Sequence, residues 1–394
     1  MPRHLHRQRP SQPWLAKEGP ADSSQALNTC KVTAAFRFFC SLNITSHRAQ
    51  PSPSRLASLI MAPKDAAAGS SSELPVRKPL PSPSTDFDIV ATYRRLLASD
   101  PHQTKPVAAI ESLIALLNTV PSTTVYETLD TVKLHSDRLK ASVANPVPLT
   151  AGTDLFLQYL VASLKQQDGS FDAVRQHLVR NGRLFAERAI AARNGVAEAG
   201  WRFVGEDKCV LTHGASRSVT GLLERAAKSL SGKFRVVYVR DETRVQESDR
   251  VVKQLRHLGI PVAEIPESAI AHVMGLLRRV HMVFVGAEAV TQNGGIISRI
   301  GTFQIAQLAS KANIPFYVAA ETHKFSRKFP LDQRDIGFKQ NVLDFSIDAA
   351  SKQPEDAVDY TPPELITNLV TENGVHLPGY VFEQLLDIYG SLNG

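Results

Sequence analysis

Between Thr85 and Val204 apolar side chains recur every three to four positions. In FDIVATYRRLLASD the recurring set is Phe87, Val90, Leu96 and Leu97, and in VAAIESLIALLNT it is Ile110, Leu113, Ile114 and Leu117. That spacing gathers them on one side of a helix and predicts an amphipathic helical bundle. The rhythm continues over Thr124 to Ser142, Thr153 to Gln166 and Phe171 to Gly200, punctuated by Pro101, Pro106, Pro121, Pro146 and Pro148. In the last of these segments Arg175, Arg180, Arg183, Arg188 and Arg193 are expected to form a solvated rim rather than a phosphate site.

After Gly205 the pattern changes to short apolar runs alternating with helical ones. The runs KCVLTH (208–213), FRVVYVR (234–240), PVAEI (261–265), MVFVG (282–286), PFYVAA (315–320) and VLDFSI (342–347) predict strands. SVTGLLERAAKSL, ESDRVVKQLRHLG, AIAHVMGLLRR and TFQIAQLASKAN between them are long enough for crossover helices. Alternation of this kind predicts an α/β fold with a parallel sheet covered on both faces. The terminal LITNLVTENGVHLPGYVFEQLLDIYG follows the last expected strand and is too apolar for a free tail. Leu365, Ile366, Leu369, Val370, Val375, Leu377 and Tyr380 are therefore expected to form an exposed patch that another surface covers.

Three segments follow: a leader at 1–84, a helical domain at 85–204 and an α/β domain at 205–394. The leader is rich in Pro, Ser and Arg, lacks sustained periodicity and is expected to be disordered. Met61 opens a second plausible start, so residues 1–60 read either as a dispensable extension or as a transit peptide. Charge bears on this division. Residues 1–60 carry eight Lys/Arg against Glu18 and Asp22, a net of +6 out of the chain's +7, leaving 37 basic and 36 acidic side chains in the rest. A nearly neutral body offers no electrostatic footprint for nucleic acid or a membrane surface. Cys209 is the one cysteine outside the leader, which precludes a disulfide framework or a cysteine-based metal site there and fits a reducing compartment.

In a parallel sheet, ligands bind beyond the carboxyl ends of the strands, where helix amino ends present N–H groups to anions. Three expected strand ends carry unusual residues. The first continues as HGASRS, with Ser216 and Arg217 at the start of a helix. The fourth opens into AEAVTQNGGIISRIGT, where Glu288 follows the strand, Asn293, Gly294 and Gly295 can form a backbone nest, and Thr302 can cap the next helix. The fifth gives AETHKFS, with Lys324. Together these residues suit a small phosphorylated, hydroxylated molecule such as a sugar phosphate. The alternative assigns the glycines to turns, the cations to the surface and Glu288 to a backbone cap. His213 reads as a hydrogen-bonded structural residue. No GxGxxG after a strand, GxxxxGK[ST], GxSxG or HExxH occurs, so dinucleotide, P-loop, hydrolase and zincin chemistries lack their motifs.

Four ordered blocks, LTHGASRSV, VFVGAEAVTQNGGIISRIGT, AAETHKFS and VDYTPPELITNLVTENGV, resemble the alpha/beta/delta subunit family of eukaryotic translation initiation factor 2B, its alpha subunits above all. The resemblance covers essentially Thr85 to Gly394. That family is similar to the methylthioribose-1-phosphate and ribose-1,5-bisphosphate isomerases, and the resemblance implies a helical amino-terminal domain followed by a Rossmann-like domain. In the isomerases a cysteine follows Thr-His after the first strand and an aspartate follows Gly-Ala after the fourth. Here Gly214 and Glu288 stand at those places. The resemblance thus implies no catalytic residue and no required cofactor or metal, with a sugar phosphate or nucleotide monophosphate as ligand. It further implies a cytosolic regulatory subunit of the guanine-nucleotide exchange factor, responding to phosphorylated initiation factor 2, with Thr124 and Glu127 as a regulatory contact. Implied partners are a second copy of the chain, the beta and delta subunits, and through these the gamma and epsilon subunits. Leu365, Leu369, Val375, Leu377 and Tyr380 would lie in such an interface. Rival readings are an active phosphosugar isomerase using Glu288 and a scaffold with an empty pocket.

Overall fold

Five helices come first: α1 (Ile89–Ser99), α2 (Lys105–Thr119), α3 (Val125–Ala141), α4 (Val147–Leu164) and α5 (Phe171–Gly200). The computed structural model describes residues 87–390 apart from 101–102, 165–170, 277–278, 344 and 346–353. The leader at 1–84 lies outside the described residues. Capping chemistry fixes several helix starts. Asp88 accepts from the N–H groups of Val90 and Ala91, and Thr124 accepts from Glu127 N while the Glu127 carboxylate takes the N–H and hydroxyl of Thr123. Helix α4 begins at Val147 rather than near Thr153, because Pro148 sits in its first turn, where a missing N–H costs nothing. The two expected regulatory residues, Thr124 and Glu127, thus serve the start of α3. Helix α2 is the hub, burying Ile110, Leu113, Leu116 and Leu117 among α1, α4 and α5. Arg175 of α5 donates to the carbonyls of Leu117 and Val120 at the end of α2. It is therefore a capping group and not part of the expected rim, whereas Arg180, Arg183 and Arg188 are exposed.

The remainder runs β1 (Cys209–His213), α6 (Arg217–Leu230), β2 (Arg235–Val239), α7 (Val245–His257), β3 (Val262–Ile265), α8 (Ile270–Gly275), β4 (Met282–Gly286), β5 (Ala289–Thr291), β6 (Ile296–Arg299), α9 (Thr302–Lys311), β7 (Phe316–Ala319), β8 (Phe325–Ser326), β9 (Val358–Thr361), β10 (Asn368–Thr371), β11 (Gly374–His376) and α10 (Tyr380–Gly390). The main sheet has the order β11-β10-β7-β4-β1-β2-β3, parallel except for β11. The chain builds outward from β1 to β3, then returns to place β4, β7 and β10 on the other side. That is the Rossmann order, with its switch point between β1 and β4. Val210, Val236, Phe284 and Val370 face α5, α6 and α7, while Leu211, Val283, Val318 and Leu369 face α8, α9 and α10. A smaller sheet, β8-β5-β6-β9, lies beside them and packs Ile297 and Tyr360 against Val147 and Ala151 of α4. The helices and both sheets form one compact unit.

Five of the six expected strands are present, and the described residues of the sixth lie outside any strand. Val342, Leu343 and Phe345 are exposed and outside any strand, and the rest of that run extends beyond the described residues. The place beside β7 is taken by β10, whose Leu369 pairs with Val318. Leu369 and Ile366 are therefore inside the core, Leu365 packs against it, and Val375 and Tyr380 are partly buried. Tyr380 stacks on His376 at 3.6 Å. Of the residues expected in an exposed patch, Leu377 alone is largely exposed, at 69%.

A buried ion pair ties α6 to the end of β7. Glu321 accepts from Ser218 Oγ at 2.8 Å and meets Lys324 Nζ at 2.8 Å. Burial alone would raise the Glu321 carboxyl, but the charges of Lys324 and His323 and hydrogen bonding hold it down to about 2. A carboxyl depressed from 4.5 to about 2 stabilises the fold fully above the first value and loses that contribution as pH falls toward the second. Glu321→Gln should accordingly lose less stability than the parent between neutral pH and a pH below 4.5. Urea unfolding at the two pH values checks this; equal acid losses in both proteins would contradict it.

Candidate ligand site

The carboxyl ends of β1 and β4 open into a cavity of about 260 Å³. Two glycines shape it. Gly214, with φ of +81°, lets the chain turn directly after His213, and a Cβ there would lie 3.1 Å from Arg299 Cγ. At Gly286 a Cβ would run into Ser216 Oγ, so the glycine admits the amino end of α6 to the end of β4. His213 sits beneath with Nδ1 3.3 Å from Val239 O and Nε2 3.0 Å from Ile300 O, a structural histidine as its position suggests. Burial pushes the Cys209 thiol up, which leaves it an inert core residue.

Of the eight expected ligand residues, Ser216, Arg217, Glu288 and Lys324 line this cavity, and Asn293, Gly294, Gly295 and Thr302 do not. Asn293 to Gly295 belong to the hairpin turn between β5 and β6. Asn293 Oδ1 accepts from Thr291 Oγ1 and Gly295 N, and its amide donates to Pro330 O and Tyr360 Oη. A Cβ on Gly294 would collide with Pro378. The polar groups of that nest are thus used inside the fold. Thr302 donates to Arg299 O at 2.6 Å. The amino end of α9 already has its acceptor: Asp359 Oδ2 accepts from Gly301 N at 2.7 Å and Phe303 N at 3.0 Å. Burial raises the Asp359 carboxyl to about 7 despite those two donors.

The second helix amino end at the cavity is instead that of α2. Gln103, Thr104 and Lys105 line the wall. Thr104 makes no side-chain cap bond, and its buried hydroxyl has no partner. From the α/β side come Arg244, Glu247, Arg250, Ser298 and Arg299. Ser298 and Arg299 lie in the block that follows the fourth strand, whereas Arg244, Glu247 and Arg250 belong to no local motif and only the topology brings them here.

The wall carries six cations, Lys105, Arg217, Arg244, Arg250, Arg299 and Lys324, against Glu247 and Glu288. Several are already neutralised within the protein. Arg299 meets Asp241 Oδ2 at 2.7 Å with both side chains buried, Lys105 meets Asp356 at 3.2 Å, and Arg244 pairs with Asp356 and Glu247. The Arg217 guanidinium donates to the Gln103 carbonyl, and burial together with the like charges of Arg193 and Arg250 pushes its pKa down, with Glu247 and Asp100 opposing. Arg193, counted in the sequence among the rim arginines, lines a neighbouring hollow together with Arg217 and Arg250. Arg217 and Arg250 share this wall, and its excess of cations over carboxylates favours a bound anion. Glu288 faces them. Burial pushes its carboxyl up, opposed by Lys105, by the Asn145 amide at 2.5 Å, and by Arg299 and Arg244. The arrangement can hold a phosphoryl group at the arginines and a hydroxyl at Glu288. No group of three metal-ligating side chains occurs among the described residues.

Comparison with known proteins places this architecture. Over 318 residues the chain is 31% identical to the translation initiation factor eIF2B subunit alpha of Dictyostelium discoideum, covering 77% of this chain and 98% of that one. Over 216 residues it is 33% identical to the ribose 1,5-bisphosphate isomerase of Archaeoglobus fulgidus, covering 53% of this chain and 66% of the isomerase. A chain in the tetrameric eIF2B beta2-delta2 complex from C. thermophilum superposes with a TM-score of 0.60 at 20% identity, covering 76% of this chain and 93% of that one. A sequence profile of the Initiation factor 2 subunit family matches residues 98–378, and the chain belongs to that family.

Proposed function

We propose that the chain is a non-catalytic regulatory subunit of the guanine-nucleotide exchange factor for initiation factor 2, working in the cytosol, with a sugar phosphate or nucleotide monophosphate in its switch-point cavity. The cavity wall carries the ligand reading, because Lys105, Arg217, Arg244, Arg250, Arg299 and Lys324 stand there against Glu247 and Glu288. Gly214 carries the non-catalytic reading. It supplies no acid, base or nucleophile opposite Glu288, and Arg299 fills the space a side chain would need. One observation favours the rival isomerase: the raised Glu288 carboxyl is the kind of group that serves as a general base.

The surface supports a role in assembly with a second copy and with the beta and delta subunits, through which the gamma and epsilon subunits join. Leu331, at 80% exposed, and Phe329, at 57%, flank Pro330, which touches Asn293. Leu377 precedes Pro378, which packs on Gly294. An apolar zone of this kind around one hairpin turn suits a permanent interface. Thr124 and Tyr126 are exposed at the start of α3, and this helix start is proposed to meet the phosphorylated factor. Glu127 acts there through the helix cap it completes.

Two outcomes are expected. Arg217→Ala should weaken binding of ribose 5-phosphate or adenosine monophosphate, whichever binds the parent, by about 1.5 to 3 kcal/mol, a charge-assisted contact's worth. Calorimetry showing unchanged affinity, or no binding of either compound to the parent, would remove the proposed ligand. For assembly, Leu377→Asp should remain folded and shift a dimer to monomer by light scattering. Leu369→Asp should fail to fold, since burying a charge in the sheet costs at least about 2 kcal/mol. A monomeric parent, or an undisturbed Leu377→Asp dimer, would relocate the interface.

A further inference from the structure

The turn Thr322–Lys324 offers successive side chains to two different cavities. Lys324 lines the switch-point cavity, whereas His323 lines a second one of about 650 Å³. This lies within the range of roughly 300 to 1,000 Å³ typical of small-molecule sites. Its wall is largely apolar: Leu155 and Tyr159 of α4, Phe185, Ala189 and Ala192 of α5, and Ile388 of α10. The rings of Tyr159 and Phe185 tilt at 47° with centroids 5.3 Å apart, giving the wall an aromatic corner.

The polar groups at this cavity are unequal. Thr322 directs its N–H and hydroxyl to the Glu372 carboxylate, which occupies both. Arg188 is exposed at the rim. His323 is 5% exposed, and neither ring nitrogen has a hydrogen-bond partner. Burial lowers its pKa to about 4, with Lys324 and Arg193 adding to the effect and Glu321 opposing it. The ring is therefore neutral near pH 7 and presents one donor and one acceptor. A buried polar ring without a partner is rare in a folded protein and calls for an explanation. A wall with one rim cation contrasts with the six that line the first cavity, so the two call for different ligands.

We propose that this second cavity is a small-molecule site for an uncharged aromatic ligand whose polar edge hydrogen-bonds the His323 ring. The aromatic face packs in the corner made by Tyr159 and Phe185, and with the Glu372 carboxylate taken by Thr322 and Arg188 exposed at the rim, the apolar wall disfavours an ionic group, which would lose hydration against it. The proposal is independent of the anion reading of the first cavity, since none of the arginines lining that cavity lines this one.

Indole is the probe, because it pairs a planar apolar body with a single N–H donor. In the full chain, indole should shift the ring signals of His323 in NMR spectra and bind with millimolar affinity or tighter. His323→Phe should weaken it about tenfold, the loss of one hydrogen bond. Ala189→Trp should abolish binding by filling the wall, while Arg217→Ala should leave it unchanged. Melting temperature and circular dichroism confirm that each variant is folded, and the His323 signals in the parent give a reading that needs no variant. Absence of indole binding, unmoved His323 signals, or undiminished binding to folded Ala189→Trp would overturn the proposal.

Discussion

The buried pair between Arg299 and Asp241 is the contact on which the site depends. Arg299 ends β6 of the small sheet, and Asp241 follows β2 of the main one. Their bond at 2.7 Å, with Arg299 also donating to Ala357 O, fixes the two sheets to each other directly under the cavity. Burial would raise the Asp241 carboxyl, but hydrogen bonds from Thr243 and Arg299 keep it below its usual range. Breaking such a pair by removing one partner costs about 3–5 kcal/mol, because the other charge stays buried. Gly214 belongs to the same constraint. The Arg299 stem lies against it, so the strand end that could carry a reactive side chain is committed to packing.

The helical layer is a working part of this site. Lys105 reaches Asp356, Asn145 reaches Glu288, and Gln103 accepts from Arg217, so three helical-side residues tie into groups held by the α/β part. The cavity is closed by packing between the two, with α5 contributing Val196 to the core under α6 and α7. A bound anion at the arginines would therefore stabilise the join between the layers as well as the site, since any ligand that binds the folded state alone shifts the folding equilibrium. This gives a physical route by which a small molecule could stiffen a subunit within a larger assembly.

Much of the fold was legible because its signals are local. Period-3.6 runs gave all five amino-terminal helices, and buried Val-rich runs gave the central strands. Where local signals competed, the reading failed. VLDFSI looks like a strand, yet Val342 and Leu343 lie on the surface, and the sheet position goes to Asn368–Thr371, only four residues long. Short apolar runs cannot be ranked without knowing which has a neighbouring edge to pair with. The Asn-Gly dipeptide at 293–294 suits an anion nest and is equally a hairpin signal, and the short β5 and β6 beside it show that it forms the hairpin. Thr302 does not serve a ligand because Asp359, distant in sequence, already accepts from the N–H groups at the start of α9. The strand-end residues of the site were legible from the topological rule; Lys105, Asn145 and Arg244 were not, since only the tertiary fold brings them there.

The central claim is a cavity that binds a phosphorylated sugar and leaves it unchanged. Phosphorus NMR of the protein mixed with ribose 1,5-bisphosphate tests it directly. The account predicts that the substrate signals broaden or shift on binding and that no new resonances grow in on prolonged incubation. Growth of signals from a ketose isomer, abolished by Glu288→Gln, would contradict it and make the chain an enzyme.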